Sequence, residues 1–179
     1  MLKTLSAILV IAVAAVLVLA ARQPATFRVE RSLDIATAPN KIFPLVDGLQ
    51  HWRLWSPYET KDPAMQRTLS GPASGVGAAY AWSGNREVGA GRMEITTSEP
   101  DRHIAMRLDF LKPFKATHTA EFTFVPVAGG TRVTWFMHGE ANLLSRVVGL
   151  FVNMDKMIGK DFESGLQQLK VAAERGAGQ

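Results

Sequence analysis

The chain has 179 residues, 47% of them apolar and 20% charged, with 20 Lys and Arg against 16 Asp and Glu and no Cys. That length suits one domain with a sizeable core, and the balance of residue types excludes disordered and collagen-like chains. Without Cys there is no disulfide framework, Cys-based zinc knuckle, iron–sulfur cluster or thiolate nucleophile.

From Leu5 to Ala21 runs LSAILVIAVAAVLVLAA, 17 residues with no charge and no polar face. At 1.5 Å per residue it spans roughly 26 Å, just enough for a thin hydrocarbon core. Residues 1–22 are therefore read as an N-terminal transmembrane anchor, with a cleaved signal peptide as the alternative, and 23–179 as the folded ligand-binding domain. Lys3 and the amino terminus compete with Arg22, Arg28 and Arg31 on the other flank, so charge does not assign a side of the membrane. Setting aside Lys3 and Arg22 leaves 18 positive against 16 negative charges, weak grounds for nucleic-acid binding.

Gln23-Pro24 ends that helix. Residues 26–36 alternate, with Phe27, Val29, Leu33 and Ile35 on one side and Arg31 as a polar interruption, which predicts a strand. Pro39 opens a short helix carrying Ile42, Phe43, Leu45 and Val46, and residues 51–57 read as an aromatic-rich loop. Strands are then predicted over 65–69, 77–82, 91–97, 103–110, 115–127 and 131–139, separated by Gly, Pro and Asn turn signals. A two-residue Gly129-Gly130 turn sets Phe124 opposite Trp135, Phe122 opposite Met137 and Glu121 opposite His138. Leu143 to Leu169 carries apolar residues at helical spacing, with a break near Asn153. The long helix is the element able to cover a sheet with one apolar face. A curved sheet around one helix leaves a gap between them, a natural apolar cavity.

Three kinds of chemistry find no support. His51, His103, His118 and His138 are scattered, and His138 with Glu121 and Glu140 reads as a solvated cross-strand ion pair, not a metal site. Ser56 and Ser145 have no visible base partner. Gly71–Gly77 leads into a strand and lacks the Gly-Lys-Ser/Thr ending of a phosphate loop. No cofactor is implied.

The layout, with the stretches Trp52–Pro57, Ser70–Gly77, Gly84-Asn85, Gly89–Gly91 and Met154–Phe162, resembles the SRPBCC (START-like, helix-grip) superfamily and, within it, the polyketide cyclase/dehydrase and lipid transport branch. The resemblance covers about residues 24–174. It implies an α+β helix-grip fold: a curved antiparallel sheet of about six to seven strands wrapped around a long C-terminal helix, with an internal hydrophobic cavity. It implies little about chemistry, since such folds host carriers, hormone-binding proteins and cyclases alike.

The expected lining starts from five thioethers, of which Met93, Met106, Met137, Met154 and Met157 form an adaptable wall. Trp55, Tyr80, Trp82, Leu108 and Phe122 join them from the sheet side and the loop. Trp135, Ile158 and Phe162 complete the apolar set. His118 is the polar candidate, placed to orient a ligand or to act as a general base; Arg107 and Asp155 are weaker ones. Three functions follow as expectations. The first is a membrane-anchored carrier of a lipid-like hydrophobe, for which ten buried methylenes supply roughly 8 kcal/mol gross before association costs. The second is a cyclase using His118 and Tyr80, and the third is a sensory module whose lid is Trp52–Pro57.

Overall fold

The computed structural model describes residues 2–176. The elements are α1 (Leu2–Arg22), β1 (Thr26–Ile35), α2 (Pro39–Asp47), a 3-10 turn (Leu49–Leu54), α3 (Pro57–Lys61), β2 (Gln66–Ser70), β3 (Ala79–Ser83), β4 (Ala90–Glu99), β5 (His103–Lys112), β6 (Ala116–Val127), β7 (Gly130–Glu140), α4 (Leu143–Gly149) and α5 (Met154–Gly176). The strands form one seven-stranded antiparallel sheet in the order β1-β7-β6-β5-β4-β3-β2. β2 to β7 are a simple meander, and β1 returns to pair with the last strand. This is the helix-grip arrangement, with α5 as the long helix. The expected loop at 51–57 is largely helical, because Trp52 and Trp55 must turn inward together at a spacing of three.

α1 is helical, as its apolar run implies, and packs on α4 with Ala20 fully buried. Among the described residues, however, no helix is long and apolar enough to cross a membrane. The single-pass anchor at residues 5–21 is therefore not supported.

The β6–β7 hairpin also needs a correction. Its turn is Ala128-Gly129, with Val127 paired to Gly130, so Phe122 faces Trp135 and Phe124 faces Val133. Only Gly129 takes a positive φ there, at 82°. Gly130 is small for a different reason: a Cβ would stand 2.0 Å from the Ile35 carbonyl oxygen, where β1 ends against β7. The register differs from the expected one by two residues, which leaves the faces unchanged.

Arg31, the polar interruption in β1, reaches α5. Its Nε donates to Glu163 Oε1 at 2.6 Å and its two terminal nitrogens donate to Asp155 at 3.1 Å. The guanidinium holds the Asp155 carboxyl below the usual range. Asp155, Gly159 and Glu163, spaced by four, make the helix face that receives it. α4 carries no buried residue, and Leu143, Leu144, Val148 and Phe151 are exposed. The apolar stripe expected to run through both helices is thus a core stripe only from Ile158 onward.

Aromatic rings join the layers. Trp135 on β7 stacks on Phe162 of α5 at 4.0 Å between centroids and on Phe122 of β6 at 5.0 Å. Trp52 and Trp55 meet Trp135 and Phe122 edge-on. Their indole nitrogens donate to the carbonyls of Val46 and Leu45 at 2.9 and 2.8 Å, so α2 is tied into the same cluster. Gly165 on α5 makes room for this packing: a Cβ would lie 2.7 Å from Trp135 Cζ3 and 3.0 Å from Pro57 Cδ. In an open helix, Gly→Ala stabilises by about 1 kcal/mol. Here Gly165→Ala is expected to destabilise by about 1–2 kcal/mol, measured as a lower urea midpoint; a raised midpoint would show that the Trp135 ring can yield.

Candidate functional site

The meander places side chains of β3 to β7 on one concave face, but α5 does not lie over all of them. Its sheet contacts run mainly to β1. Trp52 and Trp55 sit on the Trp135 stack, α3 reaches β3 through Glu59 and Tyr80, and a hollow of about 150 Å³ remains between the layers. Its wall is formed by Trp135, Met137 and Ala120 from β7 and β6, Leu108 and Phe110 from β5, and Met93 from β4. Tyr80, Trp82, Glu87 and Val88, with Trp52, Ser56, Tyr58, Met65 and Phe162, complete the lining.

Several polar groups around the hollow are engaged by the chain itself. Trp82 Nε1 donates to the Val88 carbonyl at 3.0 Å. The Tyr80 hydroxyl donates to Glu59 Oε1 at 3.1 Å, and Arg67 pairs with the same carboxylate. Burial first, and the Glu59 charge second, push the Tyr80 hydroxyl well above its ordinary range; burial does the same for Tyr58. Both phenols are therefore protonated donors at neutral pH, not bases. Asp62, itself buried, accepts from the backbone N–H of Asn85 at 2.7 Å and of Ala64 at 3.1 Å, which holds the β3–β4 turn against the α3–β2 loop. Asn85 Oδ1 in turn accepts from the N–H groups of Glu87 and Val88, setting those two residues at the rim.

Of the residues expected to line a cavity, Tyr80, Trp82, Met93, Leu108, Trp135, Met137 and Phe162 do so. Trp55, Met106 and Phe122 lie in the solid core and are fully buried, and Ile158 packs against that core from α5. Met154 and Met157 are 37% and 51% exposed, because the face of α5 that meets the sheet at this level is the Asp155–Gly159–Glu163 face held by Arg31. The alternation Ile104, Met106, Leu108, Phe110 shows why sequence could not separate the two fates. All four share a face, yet the first two are in the core and the last two line the hollow. Trp52, Met65, Val88, Phe110 and Ala120 were missed as lining. Phe110 and Ala120 had a signal, since each continues an apolar face already recognised.

Arg107 is on the outer face, paired with Asp109. Also outside, Glu121 hydrogen-bonds both His103 and His138, at 2.7 and 2.8 Å, a cluster that includes one more histidine than expected and omits Glu140. Among the described residues, no group of His, Asp and Glu is disposed to hold a metal ion.

His118 is on the inner side but does not line the hollow. Its ring lies edge-on to Phe27 at 4.8 Å and 5.8 Å from Phe110, with Nδ1 packed against Gly139 and unpartnered among the described residues. Burial pushes the imidazole below its ordinary 6.5, outweighing a backbone hydrogen bond at Thr117. The fold thus favours the neutral ring and the unfolded chain binds the proton more readily. The stability this supplies is complete above about pH 6.5 and is lost as pH falls through the ring's lowered pKa. His118→Phe keeps the ring contacts and is expected to lose less stability than the parent as pH falls from about 7 to about 5. Parallel pH–stability curves would refute this.

Solved structures share this architecture. The di-domain ARO/CYC StfQ from the steffimycin biosynthetic pathway superposes with a TM-score of 0.64 at 14% identity, over 87% of this chain and 53% of that one, so the chain spans about half of that protein. A protein of unknown function from Staphylococcus aureus gives 0.62 at 13% identity, over 86% and 97% of the two chains. A protein from Mycobacterium smegmatis gives 0.57 at 20% identity, over 85% and 92%. At these identities the likeness is one of fold. No curated protein matches the sequence significantly. The family described as "Polyketide cyclase / dehydrase and lipid transport" matches residues 26–174, from the start of β1 almost to the end of α5, and the chain belongs to that family.

Proposed function

We propose that this protein is a binding or carrier protein for a hydrophobic small molecule held in the hollow on the inner face of the sheet. The observation that carries this reading is the composition of the hollow. Its wall is mostly Met, Leu, Val, Phe, Tyr and Trp, and the donors of Trp52, Tyr80 and Trp82 are engaged by other groups of the chain. An apolar ligand entering such a site exchanges water contact for dispersion contact and displaces no strong hydrogen bonds. The two wall methionines and Met65 add side chains that adjust to ligand shape.

A cyclase reading is less favoured, because Tyr80 lines the hollow whereas His118 does not, so the acid and base it requires do not converge on one ligand. The family name admits that chemistry, and turnover of a polyketide mimic lost in Tyr80→Phe would restore it.

Native mass spectrometry with organic extraction, applied to the full chain from its own cells, is expected to show a hydrophobe bound at one per chain. Leu108→Trp, which fills the hollow from β5, is expected to remove it while keeping or raising the melting temperature. A chain that is empty, and that takes up no fatty acid, isoprenoid or polyketide mimic, would sink the binding role.

A further inference from the structure

The strand register gathers distant segments at one end of the sheet. The start of β1 lies beside the end of β7, which neighbours the start of β6 and the end of β5; the start of β4 and the end of β3 follow. α1 leads into β1 and α4 follows β7 at this end, and the two helices pack on each other. The β3–β4 and β5–β6 turns share the same end, as do the lining residues Trp82, Val88 and Phe110 of the hollow.

This end carries large apolar side chains in water. Leu111 and Phe114 at the β5–β6 turn are exposed, Phe114 by 64%. Leu143 and Leu144 of α4 are exposed as well, α4 buries no residue, and Phe151 just beyond it is 75% exposed. Exposed apolar residues met singly are ordinary, but several gathered from segments far apart in sequence mark an interaction surface. Charge gives the partner its sign. Arg22, Arg86, Lys112, Lys115 and Lys156 are exposed at this end, and none forms an ion pair among the described residues. By contrast, Arg28, Arg67, Arg92, Arg107 and Arg132 on the strands each pair with a carboxylate. The acids at this end are Glu87, Glu140 and Asp155, and Asp155 is held by Arg31. A second copy docked here about a two-fold axis would set the same cations against one another. An anionic bilayer offers phosphates to the cations and an acyl boundary to the apolar side chains.

Going beyond the binding role, we propose that this end of the molecule docks on the surface of an anionic lipid bilayer. Phe114, Leu144 and Phe151 enter the boundary between headgroups and acyl chains, and Lys112, Lys115 and Lys156 meet lipid phosphates. Such docking lies in the plane of the interface and needs no helix that spans it. The test is flotation of the full chain with phosphatidylcholine vesicles, with and without phosphatidylglycerol. The parent is expected to float with the mixed vesicles, and severalfold less with phosphatidylcholine alone or in high salt. Lys112→Glu with Lys115→Glu is expected to remove the preference for phosphatidylglycerol. Phe114→Ser with Phe151→Ser is expected to weaken flotation roughly tenfold. Both pairs are outside α1, so flotation unchanged by either pair assigns the affinity to α1 alone and overturns the proposal. Equal flotation of the parent with both vesicles, or none with either, overturns it without any variant. Self-association that Phe151→Ser abolishes, with no flotation, gives the surface to a second copy and also overturns it. Neither pair touches the lining of the hollow, so uptake of a hydrophobe is expected to persist in both, and docking and binding can each fail alone.

Discussion

The stack of Trp135 on Phe162 and Phe122 is the contact on which the architecture turns. It is where β7, β6 and α5 meet, and through the edge-on rings of Trp52 and Trp55 it also fixes the segment that follows α2. Each aromatic pair adds about 0.5–1.5 kcal/mol beyond the area it buries. The larger consequence is geometric. With α5 seated by this stack and by Arg31 on the β1 side, the helix cannot also lie against β3, β4 and β5.

The hollow follows from that constraint. A sheet with one apolar face has to be covered along its whole width, and one helix of about 10 Å diameter covers only part of seven strands. Short elements complete the cover. The 3-10 turn and α3 reach across, and Asp62, Asn85, Lys61 and Asp161 tie them to the β3–β4 turn and to α5. Such a patchwork covers the sheet without filling the space beneath it, and it adds Ser56 and Tyr58 to the lining of the hollow.

Polar groups near the hollow differ in how they are engaged. Glu59, Arg67 and Tyr80 neutralise one another, and the raised Tyr80 hydroxyl belongs to that network. His118, kept neutral by burial, is a packing element between Phe27 and Phe110. Trp135 alone among the wall indoles keeps its donor unpaired, and it is also the residue that the stack holds most firmly.

The order of elements, the meander, the single apolar face and the family were all legible in the chain, because period-two alternation and turn residues are local properties. So was the set of candidate residues at the level of faces: a register displaced by two residues at Ala128-Gly129 left every inner side chain inside. What periodicity cannot carry is depth. Met106 and Leu108 obey the same alternation, yet one is in solid core and the other at a cavity wall, and Met154 and Met157 obey helical spacing yet face outward. Hydrophobicity likewise set α1 and the Leu143–Phe151 stretch apart as apolar without deciding what they cover. The sequence by itself determined which side of each strand is apolar, since that depends on the pleat alone. Only the tertiary structure decided where that apolar face is filled and where it is hollow, because this depends on where Trp135 and Arg31 seat α5 across the sheet.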